Sequence, residues 1–317
     1  MTERKYHLSI ICIVSALLLM TALLAGCTGT SMAPQVTTAP TGTPVVMHEA
    51  VTTPLRVAEA TTAPVTAAAT ATPKPVYAAT EKTVIAYTAA SLKGASGKLA
   101  EGYAAMYPGR SVVFNLDGTQ ALTTQVENGA YADVFISASP KYTKQLTSGK
   151  YFVDGTVKTL TTNYVIVILP AKNPAGITSL ADLAKPGVKI ARAASTVPVG
   201  IATDAAIGNL ASSTYGQAWN DSVNRNTVTY ETSEPSVATK VALGEVDAGF
   251  VYESTSTAAK TGTYQSVTIP KSDNYLQTYS IAVMSGSGKK SAAKDFENYM
   301  LSDAGQQVLL SYGFRPA

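Results

Sequence analysis

Histidine and cysteine are nearly missing from this 317-residue chain, and the two of each that occur stand near its start: His7, Cys12, Cys27 and His48. The rest of the chain contains neither. That excludes Ser-His-Asp and Cys-His catalysis, and zinc sites built from His and Cys, from the body of the protein. Cys12 lies inside an apolar leader, so Cys27 is left without a partner and no disulfide framework can hold the fold. Charge is scarce as well. Only 14% of residues are charged and the net charge is +3. With no basic patch interleaved with aromatics, nucleic acid is not expected as a partner. No Walker-type loop, Gly-x-Ser-x-Gly elbow or Gly-x-Gly-x-x-Gly fingerprint is present. Carboxylate or Ser-Lys chemistry stays formally open, but no spacing points to it. Binding without a cofactor, not catalysis, is the expectation.

What is present begins with an export segment. Residues 1–27 open with Arg4 and Lys5, continue through a Leu/Ile/Ala-rich run, and end Leu24-Ala25-Gly26-Cys27. A basic start, an apolar middle and small residues at a cleavage point make a signal peptide. The Cys after Leu-Ala-Gly resembles the lipobox of lipoproteins, which makes Cys27 the expected lipidation site. An uncleaved N-terminal helix is the alternative, since the apolar run is close to spanning length. Either way the remainder is expected outside the membrane. Residues 28–80 are rich in Thr, Ala, Pro and Val, as in Ala71-Thr72-Pro73-Lys74-Pro75. Such a stretch cannot bury a core and reads as a tether, compositionally like a glycosylated stalk.

The texture changes at Lys82. Thr83-Val84-Ile85-Ala86-Tyr87 is a short β-rich run, and Leu92, Ala95, Leu99, Tyr103 and Met106 then recur at helical spacing. A strand at 111–114, a helix at 119–128 and a strand at 134–136 follow. This alternation predicts a mostly parallel sheet flanked by helices, its buried strands near-continuously apolar. The second half repeats the pattern, with strands near 164–169, 188–191 and 249–252 and helices near 179–184, 199–210 and 235–243. A strand at 280–284 and one helix over 292–312 close the chain. Two α/β lobes fit the roughly 235 residues beyond the tether.

Four junctions share one chemistry. Thr88-Ala89-Ala90-Ser91, Asp117-Gly118-Thr119-Gln120, the stretch from Ser195 to Gly200, and Thr232-Ser233-Glu234-Pro235 each place small, hydroxyl or Pro residues at a helix start. Helix N-termini offer free backbone N–H groups and partial positive charge, so converging starts would hold a dianion with neutral donors. Hydroxyls of Ser91, Thr119 and Tyr252 would add to the set. Any one of these turns also serves as an ordinary cap, and spacing alone does not bring them together. Asp117 and Glu234 read as cap or loop carboxylates rather than metal ligands, and Tyr252 as a core-edge aromatic with a wet hydroxyl.

Residues 85–92, 118–138, 197–200, 241–252 and the terminal Tyr312-Gly313-Phe314 resemble the periplasmic molybdate-binding proteins of ABC transporters, in order over essentially all of 81–317. The resemblance implies a two-lobed Venus-flytrap α/β fold: lobe I from 81–164 plus 278–317, lobe II from 165–277, and hinges around 164–165 and 270–278. It implies ligand contacts at the hydroxyls and amides of Ser91 and Thr119, at backbone amides near Val199 and Glu234, and at the Tyr252 hydroxyl. The ligand would be molybdate or tungstate, its metal bound only as the oxyanion. The partners would be that ligand, a membrane permease, and the membrane through the lipid anchor, with the protein a monomer on the outer face. Thr119 stands where many relatives have Ser, and the side chain of Glu234 finds no explanation in the pattern. Some archaeal relatives ligate the metal with two further carboxylates; Thr196-Val197 before Pro198 offers no Asp for that mode, and Glu234 is the carboxylate that keeps it open. Competing readings are a sulfate-binding protein, a surface receptor or adhesion module without transport, and, well behind, a hydrolase using Ser91.

Overall fold

A computed structural model of the protein describes residues 82–317; the export segment 1–27 with Cys27 and the tether 28–80 lie outside them. Its first strand, β1 (Thr83–Ala89), is buried from Val84 onward. Val84 and Ala86 belong to the large apolar core, Ile85 and Tyr87 to a smaller one with Leu122, Phe135 and Leu146. Successive strand residues face opposite sides, so apolar residues in succession mean a sheet covered on both faces. After a 3₁₀ turn at Ala90–Leu92, helix α1 (Lys93–Met106) buries Ala95, Leu99 and Tyr103 at four-residue spacing. Then follow β2 (Ser111–Asp117), α2 (Thr119–Glu127), β3 (Val134–Ser137) and α3 (Pro140–Ser148). Strands β2, β1 and β3 pair in parallel.

The long strand β4 (Lys158–Pro170) carries the chain into the second half. A 3₁₀ turn at Leu180–Ala184 stands where the sequence predicts a helix near 179–184. Next come β5 (Ile190–Ala193), α4 (Pro198–Leu210), α5 (Gln217–Asn226), β6 (Thr227–Glu231), α6 (Glu234–Ala242), β7 (Ala248–Tyr252), α7 (Glu253–Ala258) and β8 (Tyr264–Thr268). Strands β6, β5 and β7 again pair in parallel. The return strand β9 (Leu276–Val283) is followed by α8 (Lys290–Leu301) and α9 (Asp303–Ser311). The predicted single helix over 292–312 is therefore two. Ser302 has extended backbone, and its Oγ caps α9 by accepting the Gly305 N–H at 3.4 Å. Gln306 Nε2 donates to the Met300 and Leu160 carbonyls, satisfying acceptors at the break.

One strand, β4, joins the halves, antiparallel to its partners in both. Residues from Lys158 to Tyr164 of β4 pair with β9, and those from Val165 to Ile168 pair with β7. The strand changes partners between Tyr164 and Val165. There the side chain of Asn274 stands in for a neighbouring strand, accepting the Val165 N–H at 3.1 Å and donating to the Val165 carbonyl at 2.8 Å. β3 also pairs antiparallel with β9, so each half is a three-stranded parallel unit bordered by an antiparallel strand.

A buried carboxylate pins the first half. Asp133, fully buried, accepts the Ile85 N–H at 2.8 Å, the Ser287 hydroxyl at 2.7 Å and the Tyr131 hydroxyl at 2.5 Å. Lys289 Nζ lies 3.4 Å away. Breaking a buried pair strands the remaining charge and its donors, at about 3–5 kcal/mol. Asp133→Ala is expected to lose about that much stability in urea unfolding; a loss below about 1 kcal/mol would contradict this role.

Candidate functional site

The ends of β1, β2, β5, β6 and β7 all lead into helices or turns on one side of the molecule, and between them lies a small cavity. Ser91, Thr119, Val199, Glu234 and Tyr252 all line it. Every residue that the sequence singles out for ligand contact is thus brought to the same wall. A crevice beyond the carboxyl ends of parallel strands is where open α/β sheets bind ligands. Its free volume is about 20 Å³, somewhat above the ~10–15 Å³ that one water requires. Larger depressions of about 360 and 470 Å³ lie elsewhere on the surface, but they gather no comparable set of helix starts.

Each junction supplies donors for a local reason. In α2 the first intrahelical bond runs from the Leu122 N–H to the Gly118 carbonyl, so the Thr119 amide has no acceptor within the helix. Asp117 Oδ1 accepts the Gly118 N–H at 2.7 Å; Gly118 is the N-cap of α2, which has no side-chain cap, so Asp117 is a junction carboxylate and not a helix cap. Thr119 Oγ1 accepts the Ala138 N–H at 3.1 Å, leaving its own proton for another acceptor. In α4 the first bond is Ile201 N–H to the Val197 carbonyl, so the amides of Val199 and Gly200 are likewise unclaimed inside the helix. Pro198 opens that helix without wasting a donor. Gly200 is required by close approach: a Cβ there would lie 2.1 Å from the Ala194 carbonyl oxygen. Only glycine lets α4 start this near the end of β5.

Two hydroxyls are engaged with partners that the sequence did not indicate. Ser91 Oγ lies 2.9 Å from the Tyr279 hydroxyl. Tyr252, 1% exposed, donates to Gln277 Oε1 at a long 3.2 Å. It is a buried tyrosine rather than one with a wet hydroxyl. Burial raises its pKa well above the ordinary value, so it remains a proton donor. Gln277 belongs to β9, opposite Asn163 of β4, which ties Tyr252 to the β4–β9 pair.

Glu234 is the residue whose side chain the sequence left unexplained. It is 3% exposed. Its Oε1 accepts the Tyr252 N–H at 2.8 Å and the Thr255 hydroxyl at 2.5 Å, covering donors at the start of α7. Oε2 is buried and has no partner. Burial raises the carboxyl pKa from 4.5 to about 7, against the opposing pull of the two hydrogen bonds. No lysine or arginine lines the cavity. Among the described residues no group of three or more His, Cys, Asp or Glu could hold a metal ion. The wall is therefore one of neutral donors plus one titratable carboxyl.

Across the cavity the two halves also touch directly. Tyr142 of α3 donates its hydroxyl to the Thr196 carbonyl at 2.5 Å, and Gln120 Nε2 of α2 donates to the Thr232 carbonyl at 2.8 Å.

This fold and cleft define a two-lobed solute-binding protein of the periplasmic type. The chain belongs to the bacterial extracellular solute-binding protein family, whose model matches residues 84–315, a family of binding proteins and not of enzymes. It is similar to the molybdate-binding protein ModA of Mycobacterium bovis, 30% identical over 236 residues, 74% of this chain and 84% of that protein. Among solved structures it is similar to the substrate binding domain of a putative molybdenum ABC transporter from Clostridium difficile. That match has a TM-score of 0.58 and 29% identity, over 74% of this chain and 99% of the other. The periplasmic molybdate-binding protein of Azotobacter vinelandii shares the fold, with a TM-score of 0.64 at 20% identity, over 74% of this chain and 99% of that one.

The raised carboxyl of Glu234 has a consequence for stability. The folded state holds this proton more tightly than the unfolded chain does. The stability it contributes is therefore full below pH 4.5 and is lost as pH rises to about 7. The total is roughly 3 kcal/mol. Ligand-free wild type is expected to lose urea resistance between pH 5 and pH 8 more steeply than Glu234→Gln. Parallel pH profiles for the two proteins would refute it.

Proposed function

We propose that this protein is the extracellular substrate-binding component of an ABC importer, and that it captures a tetrahedral oxyanion, molybdate or tungstate, between its lobes. The observation that carries the reading is one cavity walled by several helix starts and hydroxyls with no cationic side chain. A dianion there is held by fixed dipoles and amide donors, which lose no energy in reorganising. The names of the relatives agree with the ligand class. Lobe I is taken as 81–164 with 278–317 and lobe II as 165–277, the hinge lying where β4 changes partners. Ligand in the open cleft draws the lobes together, and the bonds from Tyr142 and Gln120 close over it. The closed form then docks on the permease. Cys27 carries the lipid that keeps the monomeric protein at the outer face of the membrane, with the Thr/Pro stretch as its tether.

Contacts fall on the Ser91 and Thr119 hydroxyls and amides, the amides near Val199 and Glu234, and the Tyr252 hydroxyl, which turns from Gln277 to the anion. Titration calorimetry tests this on the full chain. Molybdate and tungstate are expected to bind one to one and more tightly than sulfate, which is smaller than either metal oxyanion. Thr119→Ala removes one donor to a charged acceptor, about 1.5–3 kcal/mol, so affinity should fall roughly 10- to 100-fold. Tight sulfate binding with weak molybdate binding would overturn the ligand, and silence from all these anions on ligand-free protein would overturn the function.

A further inference from the structure

The oxyanion reading leaves one feature of the cavity unused. An anion site made wholly of neutral donors has no need of a carboxyl group, and an ionised one there would repel the ligand. Glu234 nevertheless stands in the wall at 3% exposure. Its hydrogen bonds divide its oxygens by role. Oε1 accepts twice, from the Tyr252 N–H and the Thr255 hydroxyl, and so behaves as the carbonyl oxygen. Oε2 is buried with no partner at all. A neutral carboxyl with this pattern carries its proton on Oε2, as a donor with no acceptor in the protein. A buried donor left unmade is costly, and an oxyanion in the cavity supplies the acceptor it lacks.

We propose that Glu234 is the proton-bearing contact of this site, so that the cavity takes up its dianion together with one proton from solvent, held on Oε2 and donated to an anion oxygen. The inference rests on the oxyanion reading above and deepens it: Glu234 makes capture depend on pH and sets the net charge of the closed cleft. Charge arithmetic gives the direction. An ionised Glu234 beside a dianion places three negative charges in a cleft that no lysine or arginine lines. At separations of a few ångströms each such pair costs several kcal/mol even at an effective dielectric near 20. One bound proton removes that repulsion and turns the same side chain into a donor.

The surroundings hold nothing that takes over this role. The titratable groups facing Glu234 are Tyr252 on β7, Tyr264 on β8 and Tyr279 on β9. Charged residues on the neighbouring elements are committed to one another. Lys240 of α6 lies 2.9 Å from Glu245 and 3.9 Å from Glu231 of β6. Arg192 of β5 pairs with Asp204 of α4, and Glu253 of α7 with Arg315 at 2.6 Å. The dipole of α6 favours the ionised form of its first residue, and burial opposes it. A balance of this kind leaves the carboxyl titrating near neutrality, where a bound dianion can tip it.

Calorimetry of the full chain with sodium molybdate, repeated in buffers of different ionisation enthalpy, counts the protons taken up. Molybdate itself stays fully ionised from pH 6 to pH 8.5, so any proton belongs to the protein. Wild type is expected to take up close to one proton at pH 8.5 and little at pH 6, with affinity falling about tenfold per pH unit over the upper part of the range. Glu234→Gln keeps an acceptor for Tyr252 and Thr255 and a neutral donor at the cavity, so its proton count should be near zero and its affinity flat with pH. An infrared difference spectrum of wild type at pH 8.5 supplies a second readout that needs no variant: molybdate should bring in the C=O band of a neutral carboxylic acid. Molybdate binding with no proton uptake and no such band overturns this inference alone. Absence of molybdate binding at both pH values overturns it together with the function on which it rests.

Discussion

The architecture depends on β4 running through both halves of the molecule. Because β4 pairs with β9 up to Tyr164 and with β7 from Val165, one extended segment fixes how the two parallel units meet. Parallel units wound by helices expose their binding crevice at the carboxyl ends of the strands. Joined by this crossing, both crevices become one, and the starts of α2, α4 and α6 approach it from opposite sides. The Asn274 side chain completes the bonding of Val165 at the switch, so the backbone changes partners without leaving buried polar groups unpaired.

Electrostatics follows from that geometry. The wall is made of amides and hydroxyls, with Gly200 admitting α4 close against β5. Such donors do not titrate in the working range, and the amides among them are held by the helix backbone, which suits an anion with no protons of its own. Glu234 is the exception: it caps the β7–α7 junction through one oxygen and faces an unmet bonding need with the other. Tyr252 connects the same wall to the β4–β9 pair through Gln277.

Much of this could be read from the residues. The apolar runs at Val84–Ala86 and Val134–Ile136 announce covered parallel strands, while the run at Val165–Leu169 announces a covered strand that proves antiparallel to its neighbours, and the Ser, Thr and Pro residues at four junctions announce helix starts. What escaped did so for physical reasons. β6 turns Val228 and Tyr230 outward, 57% and 54% exposed, so its apolar pattern does not mark an inward face. The first half of β4 is Thr-rich; Thr161 and Thr162 bury their hydroxyls by donating to the Arg315 carbonyl and the Pro316 carbonyl, contacts from the far end of the chain. The break at Ser302 is a cap inside an otherwise continuous helical pattern. The partners of Glu234 lie 18 and 21 residues away, beyond any local spacing rule. The sequence could suggest that the junctions bind an anion, but only the fold brings them to one cavity.

The central claim is that this cavity holds the metal oxyanion. Diffraction from crystals grown with molybdate, measured at the molybdenum absorption edge, tests it most directly. The account predicts one strong anomalous peak between the starts of α2 and α4, with oxygens within hydrogen-bond distance of Thr119, the Val199 amide and Glu234 Oε2. An empty cleft, or a peak only on the outer surface, would contradict it.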